Sequence, residues 1–459
     1  MLQIDSTLTP ESLRRDYDRL FELSARKIFA LQKTWDPRRG APVFTIRGRY
    51  ASRGWTEWTQ GFQFGSAILQ FAATGDRKAL AVGRDGTLAR LPPHVTHFGV
   101  HDHGFTIVPT YGNLYQLARA GQLPTGDVRV DLYAFALKVS GAIQAARWTP
   151  LPGRLGYIYS FNGPHSLFAD TIRSLRVLAL AHQLGHAAWG EGGQKISLLG
   201  RLIQHAETTA RFNVYFGQGR DVYDVRGRVA HESIFNVNDG SYRCPSSQQG
   251  YSPFTTWTRG LAWIICGYAE QLEFLQTLPA GELRTFGGKA ALLARFMETA
   301  QATADYYIEQ APTDGVPYWD TGAPGLAAMN GWGSRPANPF NDHEPVDSSA
   351  AAIAAQGMVR LGLHLSAHGR SAAGRRYLGA GLTIARTIFR EPYLSTSERH
   401  QGLLLHAIYH RPNGWDAIPA GRMVPCGESC QWGDYHAREL GLLLSRLADR
   451  GPHYTFFGL

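Results

Sequence analysis

Residues 347–365 read DSSAAAIAAQGMVRLGLHL. Asp347 stands at the start of a run of small and apolar residues without proline, and aspartate is a preferred N-cap residue of helices. The stretch therefore predicts a helix at about 347–368 with a defined beginning. Similar runs recur along the chain, so helical periodicity is the dominant pattern of this sequence.

Twelve segments have helical periodicity, and some have recognisable ends. Thr9-Pro10-Glu11 combines a cap residue, a proline at the first helical position and an early acid, while Gly451-Pro452 stops the last helix. Only the stretch 213–244, which includes VYDV and RVAHESIF, reads as strand, with a turn at Asn238-Asp239-Gly240. The predicted helices are 10–33, 57–74, 77–90, 103–120, 127–146, 164–185, 191–212, 256–277, 283–310, 347–368, 372–391 and 431–449.

The chain of 459 residues has an ordinary globular composition, with 44% hydrophobic and 18% charged residues. Its length alone suggests two or three domains, but no linker, low-complexity tract or internal repeat divides it. Twelve helices without a linker fit a closed double ring of six inner and six outer helices around a central pocket. We therefore predict an all-α fold, a single (α/α)6 barrel over residues 1–459 with a small β-hairpin insertion. Two helical domains are the alternative.

The formal net charge of +9 suggests either nucleic acid or a polyanionic substrate as a partner. The Lys and Arg residues are scattered, and no DNA- or RNA-binding module is recognisable, so we predict no nucleic-acid partner. An excess of positive charge also suits an enzyme that acts on acidic sugars. The monomer and the homodimer both stay open.

The chain reads as a protein without a membrane span. No apolar run approaches the roughly 20 residues that a span needs, and the N-terminus lacks the apolar region of a signal peptide. Its four cysteines are too few for a disulfide framework, and no second pair near Cys426 and Cys430 completes a zinc pattern. These features predict a cytoplasmic protein, or a periplasmic one if a leader has been trimmed.

Asp102 stands between His101 and His103 in the stretch 97–117, HFGVHDHGFTIVPTYGNLYQL. An aspartate before an amphipathic run is an N-cap, a metal ligand or a catalyst. The cap suits the predicted helix 103–120. A metal fits less well, because histidines two residues apart do not share a helix face and no acidic partner motif stands nearby. We therefore predict no metal and no cofactor.

Asp170 lies in HSLFADTIRSLRVLALAHQLG. If Pro164 begins this helix, Asp170 falls beyond the first turn, beside Leu167, Ser174 and Val177 on one largely apolar face. Burial there would raise the pKa of the carboxyl group, which suits a general acid near neutral pH. A buried structural aspartate with backbone partners is the alternative.

Residues 248–272, QQGYSPFTTWTRGLAWIICGYAEQL, hold the third candidate group. Arg259 offers a planar fork for a carboxylate or a sulfate, and Trp257 and Trp263 offer faces for stacking. Helix packing with an arginine stacked on tryptophan would give the same pattern.

At this point the residues resemble a known family, the unsaturated glucuronyl hydrolases of glycoside hydrolase family 88. QGYSPFTTWTRGLAW resembles the family's HQGY…WARGQAW segment. Six further blocks follow the family's order, so the resemblance spans residues 40 to 450 and is specific as a series. The blocks are WTEWTQGFQFGSAI (55–68), HDHGF (101–105), FADTIRSL (168–175), GVPYWD (315–320), DSSAAAIAA (347–355) and CQWGDYHARELGLLL (430–444).

The resemblance implies an (α/α)6 barrel and a particular reaction. The substrate would be an oligosaccharide made by a polysaccharide lyase, with a 4,5-unsaturated uronic acid at its non-reducing end. An acid protonates C4 of the enol ether, water adds at C5, and the hemiketal collapses, which opens the ring and breaks the glycosidic bond. This differs from ordinary glycosidases, which protonate the glycosidic oxygen.

The resemblance also implies roles for individual residues. Asp170 aligns with the family's general acid/base, and Asp102 with a second essential aspartate that binds ring hydroxyls and supports charge in the transition state. Trp58 aligns with a sugar-stacking tryptophan. The remaining substrate-binding positions are His231, Gln249, Thr255, Arg259 and Trp263.

Some positions depart from the family pattern. Thr171 replaces an asparagine, Gln248 replaces the histidine of HQGY, and Arg173 and Arg176 stand where family members are more apolar. These differences put the substrate in doubt, so the related unsaturated rhamnogalacturonyl hydrolases stay open. A sugar epimerase or a non-catalytic carbohydrate-binding barrel is a further alternative, although both aspartates are retained.

Overall fold

The computed structural model describes residues 1–54, 57–124 and 129–457, which fold into helices with four small sheets. Each of the twelve predicted segments contains helix, although several begin later than predicted. The α-helices are α1 Arg14–Thr34, α2 Gln60–Thr74, α3 Arg77–Arg90, α4 Pro92–Val95, α5 His103–Thr106, α6 Asn113–Arg119, α7 Val130–Ala146, α8 Thr171–Ser174, α9 Arg176–Gln183, α10 Leu198–Phe212, α11 Thr258–Thr277, α12 Lys289–Gln310, α13 Ser348–Ala367, α14 Ser371–Ile388 and α15 Gln431–Ala448.

Six helical segments pack in a closed cycle. Helix α2 contacts the segment from α5 to α6, and that segment contacts the segment formed by α8 and α9. Helix α8 packs against α11, α11 against α13, and α13 against α15. Helix α15 packs against α2 and so closes the cycle. Helices α1, α3, α7, α10, α12 and α14 each pack against a member of this cycle. α11, α13 and α15 are buried over nearly their whole length, whereas α1 and α14 have an exposed face.

The start of α13 shows how the sequence sets a member of this cycle. Asp347 caps the helix, because its Oδ1 accepts hydrogen bonds from the backbone N–H groups of Ser349 and Ala350. Small residues then let neighbouring helices approach closely. A side chain at Gly357 would place its Cβ 2.7 Å from the backbone of Cys266 in α11, so this contact requires glycine.

The predicted helix 103–120 forms with one interruption. A π-helical turn, Val108–Gly112, separates α5 from α6. Pro109 lies in that turn, and proline cannot donate the backbone hydrogen bond that an uninterrupted α-helix requires. The predicted helix 127–146 is observed from Val130, and its residues 127 and 128 lie outside the described part of the chain.

The expectation that strand is confined to 213–244 is wrong. The hairpin at Asn238-Asp239-Gly240 is confirmed as β8 and β9, but it is joined by β5, and three further pairs of strands occur among the described residues. VYDV (222–225) is an exposed turn rather than a strand. The strands are β1 Phe44–Ile46, β2 Arg49–Ala51, β3 Trp148–Leu151, β4 Leu155–Ile158, β5 Ser166–Phe168, β6 Ala188–Trp189, β7 Lys195–Ile196, β8 Glu232–Phe235 and β9 Tyr242–Ser246.

Two predicted helices begin late for identifiable reasons. In 191–212, Gly192 and Gly193 have positive φ, and the helix starts only where Ser197 caps the N–H of Gly200. In 283–310, Gly287 and Gly288 have φ of 89° and 90°, which ends a 3-10 turn before α12 begins. Glycine adopts such angles without steric cost, so it interrupts segments that helical periodicity alone predicts as continuous helices.

The four cysteines are free thiols, and three of them are buried. Among the described helices, none combines the length and apolar character that crossing a membrane requires.

A buried ionic cluster lies where the inner segments meet. Arg173 in α8 donates from Nε and Nη2 to Glu270 in α11 at 3.0 and 2.9 Å, and from Nη2 to Glu439 in α15 at 2.9 Å. Arg176 lies 3.4 Å from Glu439 and donates to the carbonyl of Gly104 at 3.1 Å. The four charged side chains are at most 1% exposed.

Breaking this cluster should destabilise the fold. Arg173→Met leaves Glu270 and Glu439 buried without their main cation, and losing one partner of a buried pair costs about 3–5 kcal/mol. We expect a clear fall in the urea midpoint, measured by circular dichroism. Arg26→Met, which breaks the exposed pair with Glu22, is the control and should leave the midpoint almost unchanged. Equal effects of the two variants would contradict a central role for the cluster.

Candidate active site

A single deep pocket brings most of the predicted site residues together. It has a volume of about 360 Å³, a size typical of sites for small ligands. Seven aromatic side chains and eight polar ones contribute to its wall, so it offers both stacking faces and hydrogen-bonding groups. The residues are Gly54, Trp58, Val100, His101, Asp102, Phe105, Phe161, Asp170, Gln248, Gln249, Trp257, Arg259, Trp263, Tyr409, His410, Asn413 and Trp415.

Asp102 lies in the pocket wall and is not a helix cap. It occupies the N-cap position of α5, and its backbone carbonyl accepts from the N–H groups of Phe105 and Thr106. Its carboxylate, however, makes no capping hydrogen bond. Asp102 is 9% exposed and lines the pocket, so the capping explanation for its carboxylate is wrong.

Asp170 reaches the pocket from a strand–helix junction and not from within a helix. Residues 166–168 pair with β8, Ala169 donates its N–H to the carbonyl of His231, and the helix begins at Thr171. The predicted start of the helix at Pro164 is therefore wrong, because a segment as short as 166–168 shows no helical period and fits a buried strand equally well. Among the described residues, Asp170 Oδ1 has no hydrogen-bond partner.

The imidazole of His101 links the two aspartates. Its Nε2 lies 3.9 Å from Oδ1 of Asp102 and 4.0 Å from Oδ2 of Asp170. The ring is 1% exposed and stacks on Phe161, with centroids 6.0 Å apart. Two carboxylates that face one nitrogen in a buried site interact with it electrostatically, so the charge of each group affects the pKa of the others.

The pKa shifts in this trio differ from the expectation for Asp170. Burial alone would raise the pKa of Asp170, but the adjacent His101, with a smaller contribution from His231, lowers it overall. Burial raises the pKa of Asp102. Burial opposes protonation of His101, yet the charges of Asp102 and Asp170 outweigh it and raise its pKa. These directions favour the protonated form of His101 and the ionised form of Asp170, and the raised pKa expected for Asp170 is not found.

His231 lies behind the pocket wall rather than in it. Its Nδ1 accepts hydrogen bonds from the backbone N–H groups of Gln248 and Gln249, at 3.0 and 3.3 Å. Burial lowers the pKa of His231, so the ring is neutral and carries its proton on Nε2. Its contacts thus position the two glutamines that line the pocket.

Arg259 is held by the protein rather than free to meet a ligand. Its Nη1 donates to Asp347 Oδ2 at 2.8 Å, and its Nη2 donates to Gln249 Oε1 and the carbonyl of Tyr409 at 3.0 and 2.6 Å. The guanidinium lies over the rings of Trp257 and Trp432. Arg259 therefore fixes Gln249 and the loop around Tyr409 in the wall.

Two predicted tryptophans line the pocket, but Thr255 does not. Trp58 stacks on Trp432 with centroids 5.4 Å apart, and Trp263 packs against Phe105 at 4.8 Å. Thr255 is half-buried and donates to the carbonyl of Ser252. The block at 55–68 begins with Trp55 and Thr56, which lie outside the described residues.

The histidines near Asp102 do not form a metal site. His103 is fixed by Ser140 Oγ at 2.6 Å from Nδ1 and by the carbonyl of His97 at 3.0 Å from Nε2. His94 contacts Gln60. In the part of the chain that the structure describes, no group of three His, Cys, Asp or Glu side chains is arranged to hold a metal ion.

Comparison with known proteins shows what the chain is similar to. No family model matches the chain. Among curated proteins, the unsaturated glucuronyl hydrolase of Bacillus sp. (strain GL1) is 26% identical over 407 residues, which cover 87% of this chain and 89% of that protein. The unsaturated chondroitin disaccharide hydrolase of Streptococcus pyogenes serotype M1 is 25% identical over 417 residues, covering 89% and 86%.

Solved structures show the same fold. The unsaturated glucuronyl hydrolase from Bacillus sp. GL1 has a TM-score of 0.70 at 20% identity, covering 97% of this chain and 98% of that one. An Asp-to-Asn variant of the Streptococcus agalactiae enzyme, complexed with dGlcA-GalNAc6S, has a TM-score of 0.62 at 19% identity, covering 95% and 93%. The chain is related to the unsaturated glucuronyl hydrolases. The family resemblance of the sequence blocks is confirmed.

The departures from the family pattern at positions 171, 173 and 176 do not reach the pocket. Arg173 and Arg176 lie in the ionic cluster, and Thr171 is fully buried. None of the three lines the pocket, whereas Gln248 does. Of the four departures, only the one at Gln248 can therefore alter contacts to a substrate directly.

The loop 405–416 supplies part of the pocket that sequence reasoning missed. Tyr409, His410, Asn413 and Trp415 line the wall, and Asp416 accepts hydrogen bonds from the backbone N–H groups of Tyr409 and His410. The signal was available, because aromatic residues, a histidine and an asparagine cluster there around a glycine in a long connection between two helices.

Replacing Arg259 should show how much this residue contributes to protein stability and how much to substrate binding. In Arg259→Ala, the fully buried Asp347 keeps its backbone partners but loses the cation with which it is paired, so we expect a stability loss of about 3–5 kcal/mol as well as weaker substrate binding. Gln249→Ala, the control, should weaken binding with little change in stability. Urea unfolding and KM measure the two quantities. A fully stable Arg259→Ala protein with weaker binding would instead make the guanidinium a direct substrate ligand.

Proposed function

We propose that the protein is a glycoside hydrolase that releases a 4,5-unsaturated uronic acid from the non-reducing end of lyase-generated oligosaccharides by hydration of the C4=C5 enol ether. The observation that carries this proposal is the convergence of two buried carboxylates, Asp102 and Asp170, on His101 in an aromatic-lined pocket. Named relatives with this activity cover most of the chain. We propose no metal or cofactor in the reaction.

The proposal includes the architecture. We assign the helices to one (α/α)6 barrel that forms a single catalytic domain. Its support is the closed cycle of six inner segments with a further helix packed on each. In such a barrel, the connections at one end surround the central pocket. The segments before α2, α5, α8, α11 and α15 all contribute wall residues, as this arrangement requires.

Asp170 is assigned to proton transfer and Asp102 to substrate anchoring. Protonated Asp170 gives its proton to C4, and positive charge develops at C5 and the ring oxygen. Asp170, now ionised, then takes a proton from the water that attacks C5. Asp102 binds ring hydroxyls, and its charge stabilises the developing cation. The hemiketal product opens and releases the leaving sugar.

The remaining wall positions are assigned to substrate binding. Trp58 and Trp263 offer faces for a sugar ring, and Gln249 offers an amide for its hydroxyl or carboxylate groups. His231 and Arg259 act mainly through the residues that they position. Thr255 stays a predicted binding residue without a contact to the wall.

The wall bears on the choice of substrate. Among the described residues that line the pocket, Arg259 is the only Lys or Arg, and its Nη1 and Nη2 already donate to protein acceptors. A sulfate on the sugar next to the uronate would therefore find no unengaged cation in the wall. We propose non-sulfated disaccharides as the preferred substrates. A rhamnogalacturonan-derived disaccharide is the second candidate, because the same site chemistry serves it.

A substrate panel tests the proposed function. Unsaturated disaccharides, non-sulfated and 6-sulfated, and a saturated uronide are incubated with the protein while the double-bond absorbance or sugar release is followed. We expect turnover of the unsaturated sugars, with higher kcat/KM for the non-sulfated form, and none of the saturated one, because a saturated ring has no C4 alkene to protonate. Chelation should leave the rates unchanged. Comparable turnover of the saturated uronide would reject the hydration chemistry.

The two aspartates should differ in their variants. Asn keeps the shape of Asp but cannot transfer a proton, and general acid–base catalysis contributes about 10²–10⁴-fold. We expect Asp170→Asn to lower kcat by at least 10²-fold in a folded protein. Asp102→Asn should also be slow, but its pH profile should keep a basic limb. That limb should shift to lower pH, because the charge of Asp102 raises the pKa of His101. Full activity of Asp170→Asn would reject the assignment.

A further inference from the structure

His101 is a buried polar side chain without a hydrogen-bond partner. Among the residues that the structure describes, neither Nδ1 nor Nε2 has one, although the ring is 1% exposed. A buried polar group without a partner costs free energy, so its presence in a wall calls for a function. Phe161 stacks on the ring and Phe168 meets it edge-on at 5.6 Å, which keeps Nε2 directed at both carboxylates.

The charges around His101 come from several elements. Asp102 is its neighbour in sequence, and Asp170 faces it from the β5–α8 junction. Arg147, at the end of α7, opposes protonation of His101, but its guanidinium donates to the carbonyls of Tyr159 and Ser160.

Two further histidines face this group and are neutral. Burial lowers the pKa of His205 in α10 to about 3, and its Nδ1 accepts from the backbone N–H of Ile158. Burial also lowers the pKa of His231. Arg147 and His97 also lower the pKa of Asp102, but His101 is the imidazole that faces both carboxylates.

We propose that His101 stores the proton that Asp170 delivers to C4, which makes it a positioning residue for the proton. This inference rests on the proposed function. In the resting protein Nε2 carries the proton between two ionised carboxylates. When a sugar displaces water from the pocket, the low polarity disfavours the separated charges, so the Nε2–H bond breaks and an O–H bond forms on Asp170. The net charge of the trio does not change in this step.

The proton balance closes over one turnover. Asp170 loses its proton to C4, and it gains one from the water whose oxygen bonds to C5. Product release returns water to the pocket and the proton to His101. The 4.0 Å separation is longer than the roughly 2.6–3.2 Å of direct transfer, and one bridging water or a small side-chain adjustment spans it.

His103 shows why the flanking histidines differ. Both of its ring nitrogens have partners, Ser140 Oγ and the carbonyl of His97, and burial lowers its pKa to about 4. His103 is therefore a neutral packing residue. A variant of His103 is therefore a suitable control, because this histidine lies in the same segment but does not exchange a proton with the two carboxylates.

The first test is the pH dependence of kcat and kcat/KM for His101→Gln, with an unsaturated disaccharide as substrate. Gln places an amide near the position of Nε2 but cannot hold the proton. We expect kcat to fall at least 10-fold, with a smaller change in KM. We also expect the basic limb of the pH profile to move to lower pH, because Asp102 and Asp170 without His101 lose their last proton more readily than the three groups together. His103→Asn should keep the limb in place, whatever it does to stability. An unmoved limb in His101→Gln would overturn the proposal.

The second test needs no substrate. In protein labelled at the histidine Cε1 carbon, the resonance that is absent from His101→Gln reports the His101 imidazole. We expect it to titrate above the ordinary histidine pKa of about 6.5, and at lower pH in Asp102→Asn. If the His101 ring stays neutral over the whole pH range of the titration, His101 does not store the proton and the proposal is overturned. Failure of the wild-type protein to turn over any unsaturated sugar would instead reject the proposed function, so the two failures are distinguishable.

Discussion

The buried cluster of Arg173, Arg176, Glu270 and Glu439 is the constraint on which the site depends. Charged groups without water are tolerated only when they are paired and hydrogen-bonded, so the geometry between α8, α11 and α15 has little freedom. Asp170 lies three residues before Arg173, and Trp263 stacks above the Arg173 guanidinium at 5.9 Å. The cluster thus lies next to two residues of the pocket wall, Asp170 and Trp263.

How far the sequence predicts the fold depends on what sets each boundary. Periodicity locates all twelve helical segments, because helices with an apolar face repeat it over three or more turns. It places Ser166–Phe168 in a helix, since a segment of three residues is too short to show a period of its own, and its partner β8 lies more than sixty residues away. Strand pairing of this kind depends on tertiary contacts, which propensity alone does not contain.

The same division applies to the site. Both aspartates and five of the six predicted binding residues lie in or directly behind the pocket wall, because motifs record residue types at fixed spacing. Motifs do not record which hydrogen bonds those residues make or how their pKa values are shifted. Arg259 has the fork that suits an anion, yet Asp347, Gln249 and a carbonyl of the loop occupy it. The pKa of Asp170 likewise depends on His101, whose distance from it only the fold determines.

Proton storage and substrate charge are coupled in this pocket. With one proton on the trio of His101, Asp102 and Asp170, its net charge is −1, and loss of that proton makes it −2. A uronate that brings a further negative charge into a low-polarity pocket is repelled more strongly by the second state, so binding the substrate favours keeping the proton. The protein's net charge of +9 attracts the anion at long range, but salt screens that attraction beyond about 10 Å. Inside the pocket, the proton stored on His101 reduces the repulsion between an acidic sugar and the two carboxylates.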